Sequence, residues 1–250
     1  MVRLPPWPLV APIPVAHPIQ AILLDGVGTL FRVRDSVGAI YRAVAVRSRP
    51  AITAAELDAA FHAEMAAAGP MAFPGLTPDH LREMEIQWWY DRVYRTFARL
   101  DLPLDFATYR TEIYEPFRGA AWELYPESRA TLLALRDRGL TVAVVSNFDS
   151  RLPDVLTALG IGGLIDHPIY ASRHGVAKPN PRLFEIALAA CGVTADHAIH
   201  VGDDLTGDVA GARAAGIQPI LLSRDHHRLP SVDLAVIDRL DQLLPRLDRG

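Results

Sequence analysis

The strongest constraint on the fold is one pattern met four times: a short apolar, partly β-branched run that stops abruptly at polar residues. The runs are IQAILL from Ile19 to Leu24, then LTVAVVSN, HAIHVGDD and IQPILLS. Each reads as a buried strand entering a loop. Between them lie helical stretches at Ser128 to Arg138, Leu152 to Leu159, Pro181 to Cys191 and Asp208 to Ala215. Gly139, Gly160, Gly192 and Gly216 follow where a left-handed helix terminus is expected, and Asn180-Pro181 supplies an N-cap with proline at the first helical position. Strand and helix alternating in this way predict an α/β fold, a Rossmann-like parallel sheet with helices on both faces and right-handed crossovers.

Residues 35–117 behave differently. They are helical in period and contain no convincing buried strand. Ser36 to Val46 places Val37, Ile40, Tyr41 and Val44 on one face. Thr53 and Glu56 form a capping box opening a helix toward Ala68, Thr77-Pro78 opens a longer one through Leu100, and Asp105 caps a fourth. An all-helical insertion after the first strand of an α/β core is expected to be a cap. The core is then residues 19–34 and 118–250, the cap 35–117, and residues 1–18 a proline-rich leader.

Composition narrows the partners. In 250 residues the formal charge is −4, so no basic excess draws the chain to nucleic acid or an anionic membrane. No uninterrupted apolar stretch reaches the roughly 20 residues that span a bilayer, and six prolines break the leader's apolar run. The single cysteine, Cys191, excludes an intrachain disulfide and lies in an apolar run as a helix-end residue rather than a nucleophile. These features fit a cytoplasmic protein; the expected assembly is a monomer or homodimer. The 25 basic residues include one lysine, Lys178; all the others are arginine.

In a parallel α/β sheet, ligands bind at the carboxyl ends of the strands. The residues there are Asp25 and Thr29 in DGVGTL, Ser146 and Asn147 in VVSNFD, Lys178 in GVAKPNPRLF, and Asp203, Asp204 and Asp208 in VGDDLTGD. Any one of them alone could cap a helix or a turn. Together, carboxylates, a hydroxyl and one ammonium converge on one sheet edge.

In order and spacing these four segments resemble the motifs of the haloacid dehalogenase-like hydrolase superfamily, and the resemblance runs from Ile19 to about Leu222. DGVGTLFRVRDSVGAIY and VVSNFDSRL are similar to the subgroup of haloacid dehalogenase-like domain proteins. The resemblance implies a small α-helical cap and a nucleophile, Asp25, that forms an aspartyl-phosphate. It further implies Mg²⁺ held by Asp25, the main-chain carbonyl of Val27 and Asp203, with Asp204 and Asp208 supporting the metal site or Lys178. Ser146 and Asn147 would hold phosphoryl oxygens, and Thr29 would orient the nucleophile loop. Such help is needed, because a carboxylate and a phosphate charge about 4 Å apart repel by roughly 4 kcal/mol even at an effective dielectric of about 20.

One departure matters. Two residues after the nucleophile, phosphatases of this superfamily carry a second Asp as general acid and base; this chain has Val27. A positioned general acid contributes about 10²–10⁴-fold, so alkyl-phosphate hydrolysis should slow on that scale. Phosphonatases of the superfamily use a cap lysine, which the insertion lacks. Haloacid dehalogenases need no leaving-group acid, yet they also do without the metal carboxylates that are present here. The expected function is therefore a Mg²⁺-dependent phosphatase of a small phosphorylated molecule. The alternatives are a 2-haloacid dehalogenase and a phosphate-binding protein with little or no turnover.

Other candidates read as structural. Trp88, Trp89, Tyr90, Tyr94 and Phe97 form the cap's own core, with one of the adjacent tryptophans free to line the entrance. His62, His80, Glu83 and Glu85 are the cap's titratable groups, expected at its surface, any of which could replace the missing acid. Arg173, in place of a frequent Glu, and His174 precede Lys178. Arg32, Arg34 and Arg42 could meet an anionic substrate, and His226-His227 beside Arg224 reads as a solvated turn.

Overall fold

The computed structural model describes residues 17–224 and 234–247. Most of the expected leader, and His226-His227, lie outside the described residues. In chain order the strands are β1 (Ala21–Leu24), β2 (Phe31–Val33), β3 (Trp122–Leu124), β4 (Thr141–Ser146), β5 (His167–Tyr170), β6 (Ala198–Gly202), β7 (Gln218–Leu222) and β8 (Ala235–Ile237). Six of them form a parallel sheet in the order β5-β4-β1-β6-β7-β8. The four apolar runs supply β1, β4, β6 and β7, its central strands.

Alternation along β1 divides the core. Ile22 and Leu24 face a cluster with Leu132, Leu135, Val142 and Val144, while Ala21 and Leu23 face Ala143, Val145, Leu183 and Phe184 on the other side. Each layer is closed by helices with local stop signals. The helix Pro181–Cys191 begins at Asn180, whose side chain accepts from the Arg182 amide, and ends at Gly192 with φ +69°. Edge strand β5 carries Pro168, tolerable where one side of the ladder is open.

The helical insertion consists of α1 (Val37–Ala45), α2 (Ala54–Ala66), α3 (Pro78–Ala98) and a run of short helical turns through Arg118. Two of the expected caps are made: Thr53 and Glu56 form the reciprocal box, and the Asp105 side chain accepts from Thr108 N; Ser36 Oγ caps α1 as well, accepting from Ala39 N. Thr77 makes no such bond. Tyr41, Leu57, Val93, Phe97, Tyr109 and Ile113 give the insertion a core of its own. At its two ends β2 and β3 pair antiparallel, Phe31 opposite Leu124, which ties departure and return together. Among the described residues, no helix is long and apolar enough to cross a membrane.

Candidate active site

Register puts the candidate residues side by side. Leu24 pairs with Val144 on one side and Val201 on the other, so the chain leaves β1, β4 and β6 at one level, through Asp25, Ser146 and Asp203. The chain runs outward from β1 through β4 to β5, then returns to β6 on β1's other side, a reversal of strand order where open α/β sheets bind ligands.

Lys178 is the electrostatic centre. Its Nζ donates to Asp25 Oδ1 at 2.6 Å and to Asp208 Oδ1 at 2.5 Å, with all three side chains buried. Burial opposes the ammonium, but Asp25 and Asp208 outweigh it and hold its pKa above the ordinary lysine value. Asp25 responds the other way: burial, with repulsion from Asp208 and Asp203, raises it to about 7 against the pull of Lys178. Asp203 is raised to about 6 by burial and by Asp208. Burial would raise Asp208 too, yet Lys178 and His200 hold it well below the usual carboxylate range.

Asp25, Asp203 and Asp208 bring carboxylate oxygens within 4.8 Å of one another. With all three ionised, one ammonium leaves the group short of two positive charges. An oxygen-only donor set with that deficit fits a hard divalent cation. The backbone makes room for the Asp203 carboxylate. Gly28 has φ +91°, and a Cβ there would lie 2.2 Å from Asp203 Oδ2. Gly28→Ala should therefore displace Asp203 and strain the loop, costing about 1–3 kcal/mol and most of the activity. A thermal melt and a turnover assay on that variant check both effects.

The remaining candidates fall in several places. Asn147 is spent on the lysine loop: its Oδ1 accepts from Lys178 N at 2.7 Å and its Nδ2 donates to Lys178 O at 3.0 Å. Buried Ser146 faces the nucleophile loop, close enough that a Cβ on Gly26 would lie 3.2 Å from its Oγ. Asp204 stands apart from the carboxylate group. Its side chain is exposed and accepts from Thr206 N, opening the turn Leu205–Ala210. Thr29 is fully buried, but its hydroxyl has no partner among the described residues. The loop is gripped through its main chain instead, by Arg224 Nε on Gly28 O and Arg224 Nη2 on Thr29 O.

Several working residues were not legible as such. His200, fully buried in β6, pairs Nε2 with Asp208 Oδ1 at 2.9 Å and packs edge-on against Phe184. A carboxylate only accepts, so Nε2 carries the hydrogen. The signal was a histidine inside an apolar strand, where a buried polar group demands a partner. Arg224 is no solvated-turn residue: it also binds Glu127 and lies 3.5 Å over the Tyr125 ring. Glu85, expected at the surface, is fully buried, because it accepts from Ser150 N and from the Ser150 and Ser172 hydroxyls. Near it Trp89 donates to Asp149, which also holds Arg151. These contacts seat α3 on the loop after β4. Cys191 ends its helix half-buried, its thiol raised to about 11 by burial.

A haloacid dehalogenase-like hydrolase profile matches residues 19–216, nearly the whole span from β1 to the approach of β7. This chain belongs to that family. A Bos taurus haloacid dehalogenase-like hydrolase domain-containing protein 3 is 33% identical over 244 residues, covering 94% of this chain and 96% of the relative. A Thermus thermophilus phosphoserine phosphatase is 39% identical over 107 residues, 41% of this chain and 42% of that protein. A solved L-2-haloacid dehalogenase superposes with a TM-score of 0.71 at 24% identity, covering 93% of this chain and all of its own. That likeness shows the haloacid dehalogenase-like fold: a six-stranded parallel sheet with a helical insertion.

Proposed function

We propose that this hydrolase is a magnesium-dependent phosphatase working through an aspartyl-phosphate on Asp25. The observation that carries the reading is the meeting of Asp25, Lys178, Asp203 and Asp208 at adjacent strand ends. Halide displacement has no use for a metal carboxylate such as Asp203 beside the nucleophile, whereas phosphoryl transfer needs the counter-charge that a metal brings. Asp25, the Val27 carbonyl and Asp203 would hold the cation, with Asp208 bracing Lys178. When bound, magnesium supplies positive charge to the phosphoryl oxygens and keeps Asp25 ionised.

The chain's own residues account for the rest. Lys178, held between two carboxylates, presents its remaining hydrogen to the phosphate and keeps Asp25 oriented by one oxygen. An Asp25 oxygen attacks phosphorus as the ester P–O bond breaks and the leaving oxygen takes the electron pair. Water then attacks phosphorus, releasing inorganic phosphate and restoring the carboxylate. Ser146, close to the same loop, can donate to a phosphoryl oxygen. His200 holds Asp208, and through it Lys178, in place.

Val27 favours a second reading, a dehalogenase, because halide departs without a proton. One experiment separates them. With 4-nitrophenyl phosphate, turnover should require Mg²⁺, fall to background with a chelator, and need much more Mg²⁺ in Asp203→Asn. Metal-independent halide release from 2-haloacids, without phosphate release, would overturn the phosphatase reading.

A further inference from the structure

Beside the nucleophile loop the insertion and the core enclose a cavity of about 510 Å³, within the roughly 300–1,000 Å³ common for ligand pockets. Its walls are mainly aromatic, with Tyr41, Phe61, Trp89 and Tyr114 from the insertion and Phe148 from the core. Val27 opens onto it and is 38% exposed, although it lies two residues from the buried Asp25. An apolar side chain in that position forms the boundary between the phosphate end of the site and the aromatic space.

Asp35 and His62 also line the cavity and are exposed to solvent, while several of the other polar groups on the walls are already engaged. Arg151 is the only lysine or arginine among the residues lining the cavity. Its Nε and Nη2 are spent on Asp149 at 3.0 and 2.6 Å, and its guanidinium lies 4.2 Å over the Tyr114 ring. Asp58 accepts from Gly38 N at 2.6 Å, Ser36 caps α1, and Asn147 is tied to the Lys178 main chain. Of the three arginines that follow the nucleophile loop, Arg32 pairs with Glu123 and Arg42 with the Ile52 carbonyl; none of them lines this space. A carboxylate or second phosphate entering it would lose its water without gaining an unpaired lysine or arginine, a costly exchange.

Two requirements therefore fall on the part of the substrate that leaves. It must be neutral and apolar enough for the cavity, and its oxygen must depart without a proton from the position Val27 occupies. An aliphatic alcohol fails the second requirement. An acyl phosphate fails the first, since its leaving group is itself a carboxylate. We propose that the cavity holds the ring of a neutral phenol, and that the substrate class is an aryl phosphate monoester. The phosphate sits at Asp25 and Lys178, the ring stacks among the aromatic side chains, and cleavage of the P–O bond sends the electron pair to a phenolate. This proposal rests on the phosphatase reading above.

The test compares 1-naphthyl phosphate, phenyl phosphate, 3-carboxyphenyl phosphate and acetyl phosphate in Mg²⁺, the second and third having leaving groups of similar acidity. The expected kcat/KM falls at least about tenfold from naphthyl to phenyl and again to the carboxylated ring. Phe61→Arg, which puts an unpaired cation on the wall, should narrow or reverse the last step. Separately, 1-naphthol should quench tryptophan fluorescence saturably in the wild type, and more weakly in Phe61→Arg. Turnover that is equal or faster with the carboxylated ring or acetyl phosphate, or no saturable naphthol binding, overturns the aryl assignment and leaves the phosphatase reading standing. Absence of turnover with every ester overturns the phosphatase reading itself, and the aryl substrate with it.

Discussion

Asp25→Asn should lower turnover by on the order of 10⁴-fold or more, because a neutral amide cannot take the phosphoryl group and the rest of the site cannot replace it. The same change should raise the melting temperature in magnesium-free buffer near pH 8. The folded protein raises Asp25 to about 7, mainly by burial and then by its acidic neighbours. A carboxyl whose folded pKa lies above its unfolded value stabilises the fold most at low pH and loses that contribution as pH rises through the folded value. Above about pH 7 the wild type thus carries a disfavoured buried charge, which the amide removes while still able to accept from Lys178. The gain should shrink toward pH 5, where Asp25 is already protonated in the folded state. A stable, inactive variant with that pH dependence would tie nucleophile and electrostatic burden to one residue. Retained turnover, or a lower melting temperature at every pH, would contradict the assignment.

Lys178→Met should cost about 3–5 kcal/mol and abolish activity, since removing one partner of a buried pair strands the other. Here it strands two, Asp25 and Asp208. The pH dependence has the opposite sign to that of Asp25. Asp208 is held low despite its burial, chiefly by Lys178 and then His200, so its pairing stabilises the fold above the unfolded carboxylate pKa and fades as pH falls through the folded value. Destabilisation by Lys178→Met should accordingly be large near neutrality and diminish in acid, as urea melts between about pH 2 and 7 would record. Lys178→Arg should not rescue catalysis, because a planar fork cannot occupy the space of a compact ammonium between two carboxylates.

What could be read in advance was mostly local. The Pro181–Cys191 helix lies where Asn180, Pro181 and Gly192 place it, and the Thr53–Glu56 box opens α2 as its spacing requires. In both, the determinants lie within a few residues of what they determine. The β2–β3 pair was illegible because Phe31 meets Leu124 only after the whole insertion has been traversed, and three-residue strands carry little pattern. The segment expected as a helix from Asp208 to Ala215 opens instead as a wide turn, Leu205–Ala210, then a short helix. That turn holds Asp208, and such bulges are common at functional sites. The strand-end carboxylates and Lys178 were visible because a parallel sheet brings strand termini to one edge. The bonded roles of Glu85, Arg224 and His200 were not, since they depend on partners distant in the chain or across a turn.

The chain's sole lysine also makes the site a natural reporter. Reductive methylation with isotopically labelled formaldehyde can mark only one ε-amine in this molecule, that of Lys178. In the structure this amine is buried and donates to two carboxylates, so reagent reaches it only during excursions that part them. The rate of incorporation consequently measures how often the centre comes apart, without a substrate and without interference from other side-chain amines. Beside the signal of the α-amine, the one ε-amine resonance in the product would then follow the local environment of that nitrogen directly.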